Sequence, residues 1–541
     1  MSQRALLVRN ARIWSGGGLL EADSVLLAHS RIVAVGCALE SHPEAREARV
    51  LEACGATVTP GLCDAHLHFV PWALSRRQPD LRGALTRSEA LARVREGLAS
   101  DRGSAPLVGR GWDESSWDVP PDRASLDALA PDRPVILHRH DFHSLWVNSA
   151  ALAAAGVSRE SADPEGGRFD RTPSGEPTGL IREQAVRAFD ALELAAGPVV
   201  DDALLDDAAG ALHAAGITMV HDYQRDAVDL RRMQALSRRR RLRVLQMFGP
   251  ESCDGLLAAG LTSGTGDAWF RIGSLKLFAD GTLGSRTAAM LEPYEDAGGL
   301  GMAMYAPAEL REIVRRAVSA GISVSIHAIG DRAVREALDA FEACGRALLE
   351  ALPLPPRIEH VQLLHPQDLP RFALLGVAAS MQPQHCVTDA ESARVAWGRR
   401  CAWSYPWRSL LASGATLAFG SDAPVEPASP SLGLHAALTR RRADTLPQGE
   451  FEPQECLTLD QALAAYTIGA SRLAAMERRL GVLRVGAQGD LVVWDRDLHA
   501  APAGDLPTLR PAWTVLGGEI VYESPDLGRI FGSGVRGRHE A

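Results

Sequence analysis

His66 and His68 stand two residues apart at the end of the apolar run Val58-Thr59-Pro60-Gly61-Leu62-Cys63-Asp64-Ala65-His66-Leu67-His68-Phe69. In an extended strand, residues i and i+2 leave the same face, so the two imidazoles can reach one metal ion together. Loop histidines that merely hydrogen-bond share this spacing, so the rest of the chain has to decide. Farther along, Lys276, His327, His360 and Asp422 each lie at or near the end of an apolar run. Imidazoles with a carboxylate suit Zn²⁺ and similar borderline ions, and no thiolate cluster competes for them. Each residue also has a plainer reading: His327 or His360 as a hydrogen-bonded core histidine, Lys276 as an ion-pair partner of Asp280, Asp422 as a helix cap. All six together at strand ends point to a binuclear metal hydrolase.

The elements that must position these residues alternate between β-branched apolar segments and segments of helical period, the mark of a parallel sheet with helical crossovers. The pattern predicts eight strands, at 62–69, 217–223, 243–248, 272–279, 323–329, 357–362, 378–382 and 416–421, with helices at 201–215, 308–320, 332–348, 366–374 and 404–412. Eight such strands predict an α/β (β/α)₈ TIM barrel, whose catalytic groups gather where strands end. Short apolar runs at 5–8, 25–28 and 32–35, matched near the other end by 489–495 and 513–521, predict a composite β-sandwich built from both ends of the chain. Residues 71–200 are too many for a connection and carry their own apolar runs at 106–110 and 134–137, so they read as an inserted subdomain placed to act as a lid. The expected order is sandwich 1–57, first barrel strand 58–70, insert 71–200, barrel 201–478 and sandwich 479–541.

Composition bounds the function. With 46% hydrophobic and 23% charged residues the chain is globular, and its net charge of -10 gives no electrostatic reason to bind nucleic acid. The run Arg238-Arg239-Arg240-Arg241 fits the C-terminal end of a helix, where cations oppose the dipole. Eight cysteines are scattered singly, as in a reduced cytoplasmic protein. No apolar stretch reaches the roughly 20 residues a membrane span needs. The expected partner is a small-molecule substrate, and the acidic balance leaves a homodimer open.

Five ordered motifs carry a family resemblance: Val58-Thr59-Pro60-Gly61 with Asp64-Ala65-His66-Leu67-His68, Leu275-Lys276 through Arg286-Thr287, His327-Ala328-Ile329-Gly330-Asp331, Ile358-Glu359-His360, and Gly420-Ser421-Asp422-Ala423-Pro424. They resemble the amidohydrolase superfamily, within it the amidohydrolase 3 branch that includes N-substituted formamide deformylase. The resemblance implies that His66 and His68 hold the more buried of two divalent ions, zinc being the leading choice, and His327 and His360 the more exposed. It implies that Asp422 touches the buried ion and shuttles protons, and that Lys276, carboxylated by CO₂, bridges both. One departure is Gln488-Gly489-Asp490, where the family more often has Lys-Ala-Asp.

The expected reaction is hydrolysis of a non-peptide C–N bond, an amide or N-substituted formamide, by a metal-bound hydroxide. An esterase or lactonase would use the same site, and a metal-stabilised binding protein without turnover is the alternative from another class. On the substrate side, Trp112, His143, Arg286 and His385 are the candidates, with Asp113, His140 and Trp146 beside them on the insert. Trp112 and Trp146 also read as core of that insert.

Overall fold

The computed structural model describes residues 4–531, apart from 101–102, 115–116, 118, 140–143, 165–166, 197–199, 224–226 and 444–450. Two compact units result, one formed by 1–69 with 209–541 and the other by 70–208.

The first unit holds the eight-stranded sheet: β1 (Leu62–Leu67), β2 (Ile217–Tyr223), β3 (Arg243–Phe248), β4 (Phe270–Phe278), β5 (Val324–Ala328), β6 (Arg357–His360), β7 (Ala378–Met381) and β8 (Leu417–Phe419). Neighbours in sequence are neighbours in the sheet, and every paired register is parallel. A parallel bridge between Leu67 and Ala423 closes the ring, with the His68 N–H on the Ala423 carbonyl (2.9 Å) and the Asp422 N–H on the His66 carbonyl (2.7 Å). All eight strands expected from the sequence are present. Most of their residues are buried on both faces, as in a parallel sheet sheathed by helices.

Helical period accounts for the crossovers. In Pro307–Ser319, Leu310, Val314, Ala317 and Val318 face inward, and proline opens the helix where its missing N–H costs nothing. Asp331–Cys344 buries Val334, Ala337, Leu338 and Phe341 in the same way. The expected helix over 332–348 breaks at Gly345 (φ 81), and a second short helix, Arg346–Glu350, follows.

Strands from both ends of the chain share one six-stranded sheet. Leu491–Trp494 pairs antiparallel with Thr57–Pro60, placing Leu491 opposite Pro60, and Arg12–Ser15 joins the other side of Thr57–Pro60. The apolar run at 513–521 is two strands, Pro511–Leu516 and Glu519–Glu523. Gly517 and Gly518, both at positive φ (57° and 79°), make the two-residue turn between them. A four-stranded sheet containing Leu6–Arg9 and Ser24–Ala28 packs its Val8, Val25 and Leu27 against Val493, Trp513 and Val515. At the start of β3, the buried Arg243 holds Asp490 by two hydrogen bonds (2.6 and 2.8 Å), donates to the Ala268 carbonyl (2.7 Å) and lies 4.2 Å from the Trp269 ring centre. Asp490 also accepts from the Gly517 N–H at 2.8 Å. The departing motif Gln488-Gly489-Asp490 is therefore a tie between barrel and sheet.

The second unit has its own five-stranded sheet, in the order Gly167–Arg171, Pro177–Glu183, Ser144–Val147, Val135–Arg139, Leu107–Trp112. Trp112, Leu137 and Trp146 share one of its apolar clusters with Val94 of the helix Arg87–Ser100.

Candidate metal centre

The strand ends bring His66, His68, His360, His385 and Asp422 together. Asp422 is the hub: its Oδ1 lies 3.4 Å from His66 Nε2 and 3.3 Å from His68 Nε2, and its Oδ2 lies 3.4 Å from His385 Nε2. Two sets of three, His66-His68-Asp422 and His360-His385-Asp422, each keep their donor atoms within 4.8 Å of one another. The centre of the His360 ring stands 5.0 Å from that of His66 and 4.6 Å from that of His327.

Three imidazoles are oriented alike. His66 Nδ1 meets Glu359 Oε2 (2.8 Å), His68 Nδ1 the Tyr223 carbonyl (3.0 Å) and His360 Nδ1 Gln382 Oε1 (2.8 Å). Each of those partners is an acceptor, so Nδ1 carries the proton and Nε2 keeps its lone pair. His327 is tied the other way, with Nε2 on the Gly281 carbonyl (3.0 Å), which leaves Nδ1 as its lone pair. Burial, aided by Lys276, lowers His66 to about 4 and His327 to about 3, and burial with His327 holds His360 well below the usual imidazole range. Neutral imidazoles with free lone pairs are what a divalent ion requires. Burial works against the charge on Asp422, yet His66 and the other imidazoles hold its carboxyl well below the usual range.

Distances supply the test of fit. Separations of 3.3–3.4 Å exceed those of good hydrogen bonds. His385 stands apart from the other imidazoles: burial works against its charge, but the Asp422 carboxylate facing it raises it to about 9. Ligands about 2.1 Å from a tetrahedral ion stand about 3.4 Å from one another. The set His66-His68-Asp422 thus fits a metal better than it fits itself.

The backbone forces these groups inward. Alternation alone would send Glu359 and His360 to opposite faces, but His360 sits at φ 74 and both contact the cluster. Asp422 is also left-handed, at φ 57, a conformation that costs a non-glycine residue and concentrates at functional sites. Asp64 fastens β1 to the segment after β8, accepting from the Ser421 N–H (2.9 Å) and hydroxyl (2.6 Å) and from the His66 N–H (3.2 Å). A side chain at Gly420 would come within 2.4 Å of the His66 nitrogen, so only glycine lets these strands approach.

Lys276 is buried at the end of β4, its Nζ 4.5 Å from the Tyr223 ring centre and 4.9 Å from that of Phe278. Asp280, the alternative partner weighed for it, accepts from the backbone N–H groups of Ala289, Ile329 and Gly330 and stands 3.4 Å from His327 Nε2. A cavity of about 150 Å³ opens beside His68, Tyr223 and Lys276.

The substrate-side expectations divide. His385 joins the cluster. Arg286 is turned to other work: its Nε and Nη2 donate to Asp296 Oδ2 (3.0 and 2.7 Å), and its Nη1 donates to the Leu283 carbonyl (2.7 Å) and the Ser392 hydroxyl (2.9 Å). The expectation for Trp112 is corrected. Its ring is fully buried in the second unit's own core, packs against Trp117 and Trp146, and donates its indole N–H to the Leu137 carbonyl (2.7 Å). His143 and His140 lie outside the described residues.

Sequence reasoning gave no role to Glu359, Tyr223 or Gln382. Glu359 accepts from the Tyr223 hydroxyl (2.7 Å) and the Ser325 hydroxyl (2.6 Å) as well as from His66, with Arg357 Nε 2.8 Å away. Tyr223 stacks on the His66 ring at 3.9 Å. Opposite charges at 357 and 359 in a strand expected to be buried were the available signal, since an unpaired charge there is prohibitive.

Comparison with known proteins agrees with this architecture. The chain is similar to Protein LONG AFTER FAR-RED 3 of Arabidopsis thaliana, at 32% identity over 96% of this chain and 91% of that protein. It is similar also to N-substituted formamide deformylase of Arthrobacter pascens, at 28% identity over 93% of this chain and 95% of that one. Among solved structures, an uncharacterized metal-dependent hydrolase from Pyrococcus horikoshii OT3 superposes with a TM-score of 0.75 at 28% identity, over 92% of this chain and 99% of that one. The sequence profile of the amidohydrolase family matches residues 49–522, and on that match the chain belongs to the amidohydrolase family.

Proposed function

We propose that this protein hydrolyses a non-peptide C–N bond of a small molecule, an amide or N-substituted formamide, with divalent metal ions, zinc first among them, held by His66, His68, His327, His360 and Asp422. The observation that carries the reading is the hub at Asp422, whose oxygens face three buried or half-buried imidazole nitrogens at 3.3–3.4 Å. When bound, the ions supply Lewis-acid polarisation of a carbonyl and acidify water at neutral pH. Asp422 accepts the proton of the attacking water and returns it to the departing nitrogen, so one carboxylate serves as base and then as acid. Glu359, Gln382 and the Tyr223 carbonyl keep the imidazoles turned toward the reacting centre. Lys276, once carboxylated by CO₂, offers two anionic oxygens where an ammonium offers none. The similarity to N-substituted formamide deformylase supports this choice of bond.

The test is elemental analysis of protein purified without chelator, with turnover measured on N-formyl amines, N-acyl amines and aryl esters. Two equivalents of metal and preference for the nitrogen compounds are expected. A carbonyl signal from carbon-13-labelled bicarbonate on Lys276 should accompany them. Protein that takes up no metal after reconstitution, or that cleaves only the esters, would overturn the reading.

A further inference from the structure

The cavity beside the cluster is small. At about 150 Å³ it is worth about five waters, below the range of pockets that engulf a whole ligand, so it takes a single substituent. Its lining includes His68, Tyr223 and Lys276, which the proposed function places at the reacting centre, together with the apolar and aromatic Pro250, Phe278 and Tyr305.

Glu251 completes that lining and differs from it in kind. It is exposed and makes no hydrogen bond or ion pair among the described residues. Its carboxylate lies against Gly249, where an added Cβ would meet the two oxygens at 2.3 and 2.5 Å. An unpaired anion in a lining that also holds Phe278 and Tyr305 attracts a cation by direct charge and repels an anion.

We propose that Glu251 is a specificity-determining residue that selects substrates carrying an alkylammonium or arylalkylammonium group, joined to the scissile bond by an apolar spacer that packs on Phe278 and Tyr305. This inference rests on the hydrolytic reading of the metal cluster. Glu251 also lies in the first turn of the helix Pro250–Ala258, where an anion favours the dipole. A purely structural role would act on every ligand alike, so the deciding quantity is a ratio between two ligands.

The experiment uses the full chain loaded with zinc and two N-substituted formamides of one shape, bearing 4-(aminomethyl)benzyl and 4-ethylbenzyl groups. Calorimetric binding and kcat/KM are measured for each. The ammonium compound should be favoured about fivefold, the scale of a partly exposed ion pair, and added salt should shrink the preference. Glu251→Gln should abolish the ratio, and Gly249→Ala should reduce it by displacing the carboxylate while keeping the charge. Equal binding by the wild type, absence of binding, or a ratio untouched by both variants overturns the proposal. Hydrolysis of both compounds without a Glu251-dependent ratio would leave the hydrolytic reading standing and remove this one. A Glu251-dependent binding ratio without hydrolysis would do the reverse.

Discussion

The two ends of the barrel use the same kinds of residue to opposite purposes. Where the strands begin, Arg243 and Asp490 are buried and mutually satisfied, with hydrogen bonds of 2.6–2.8 Å, a carbonyl and an amide taking up the rest, and an indole beneath. Where the strands end, Asp422 and three imidazoles stand 3.3–3.4 Å apart. Charge that closes on itself holds the fold, and charge held just out of reach of itself waits for something else. The general division of labour in barrels, stability at one face and chemistry at the other, here appears as a difference of about half an ångström.

The contrast can be broken from either end. Asp422→Asn should lower turnover by roughly 10³-fold while thermal unfolding stays near wild type; unchanged turnover would end the proton-shuttle assignment. At the opposite end, Arg243→Met leaves Asp490 buried without its cation, and urea unfolding should show a loss of about 3–5 kcal/mol, with turnover per folded molecule retained. Adding Asp490→Leu should recover much of that loss, and failure to recover would mean the pair does more than neutralise itself.

His213, at the same end, tests pH. Burial lowers it to about 4 despite a 2.7 Å contact to the Arg241 carbonyl. Its folded value lies below the unfolded value of about 6.5, so the unfolded chain binds the extra proton between them. Stability is therefore full above about 6.5 and falls as pH drops toward 4, by about 3 kcal/mol. Urea unfolding at both ends of that window should find His213→Gln without this share of the loss. The smallest effect is at the strand ends: Glu359→Gln should weaken zinc binding about 10–100-fold by loosening His66, read by competition with a chelator. Equal affinity would show that Tyr223 stacking suffices to orient the ring.

The fold was legible because the barrel strands are short, β-branched and evenly punctuated, and all eight stand where their apolar runs are. That His66, His68, His360 and Asp422 come together was legible because each stands at or just past the end of an apolar run in a barrel whose strand ends converge. What was not legible depends on partners distant in sequence. Glu359 looks like a stray charge until Arg357, Tyr223 and Ser325 are placed around it. Arg286 looks free to reach a substrate until Asp296 takes its guanidinium. Trp112 has the residue type of a binding wall, and only the packing of Trp117 and Trp146 makes it core. The hairpin at 511–523 was read as one run because its turn is two glycines set among apolar residues.

The pairing of Thr57–Pro60 with Leu491–Trp494 has a consequence for the chain during its synthesis. A strand made early must wait for a partner made roughly 430 residues later, which at about 5–20 residues per second is roughly 20–90 s on the ribosome. Through that interval one edge of Thr57–Pro60 is open to any other extended chain. Asp422 likewise reaches His66 only after most of the barrel has been made. Assembly of the His66-His68-Asp422 cluster is thus confined to a late stage of biogenesis, and a chain released before residue 422 cannot form it.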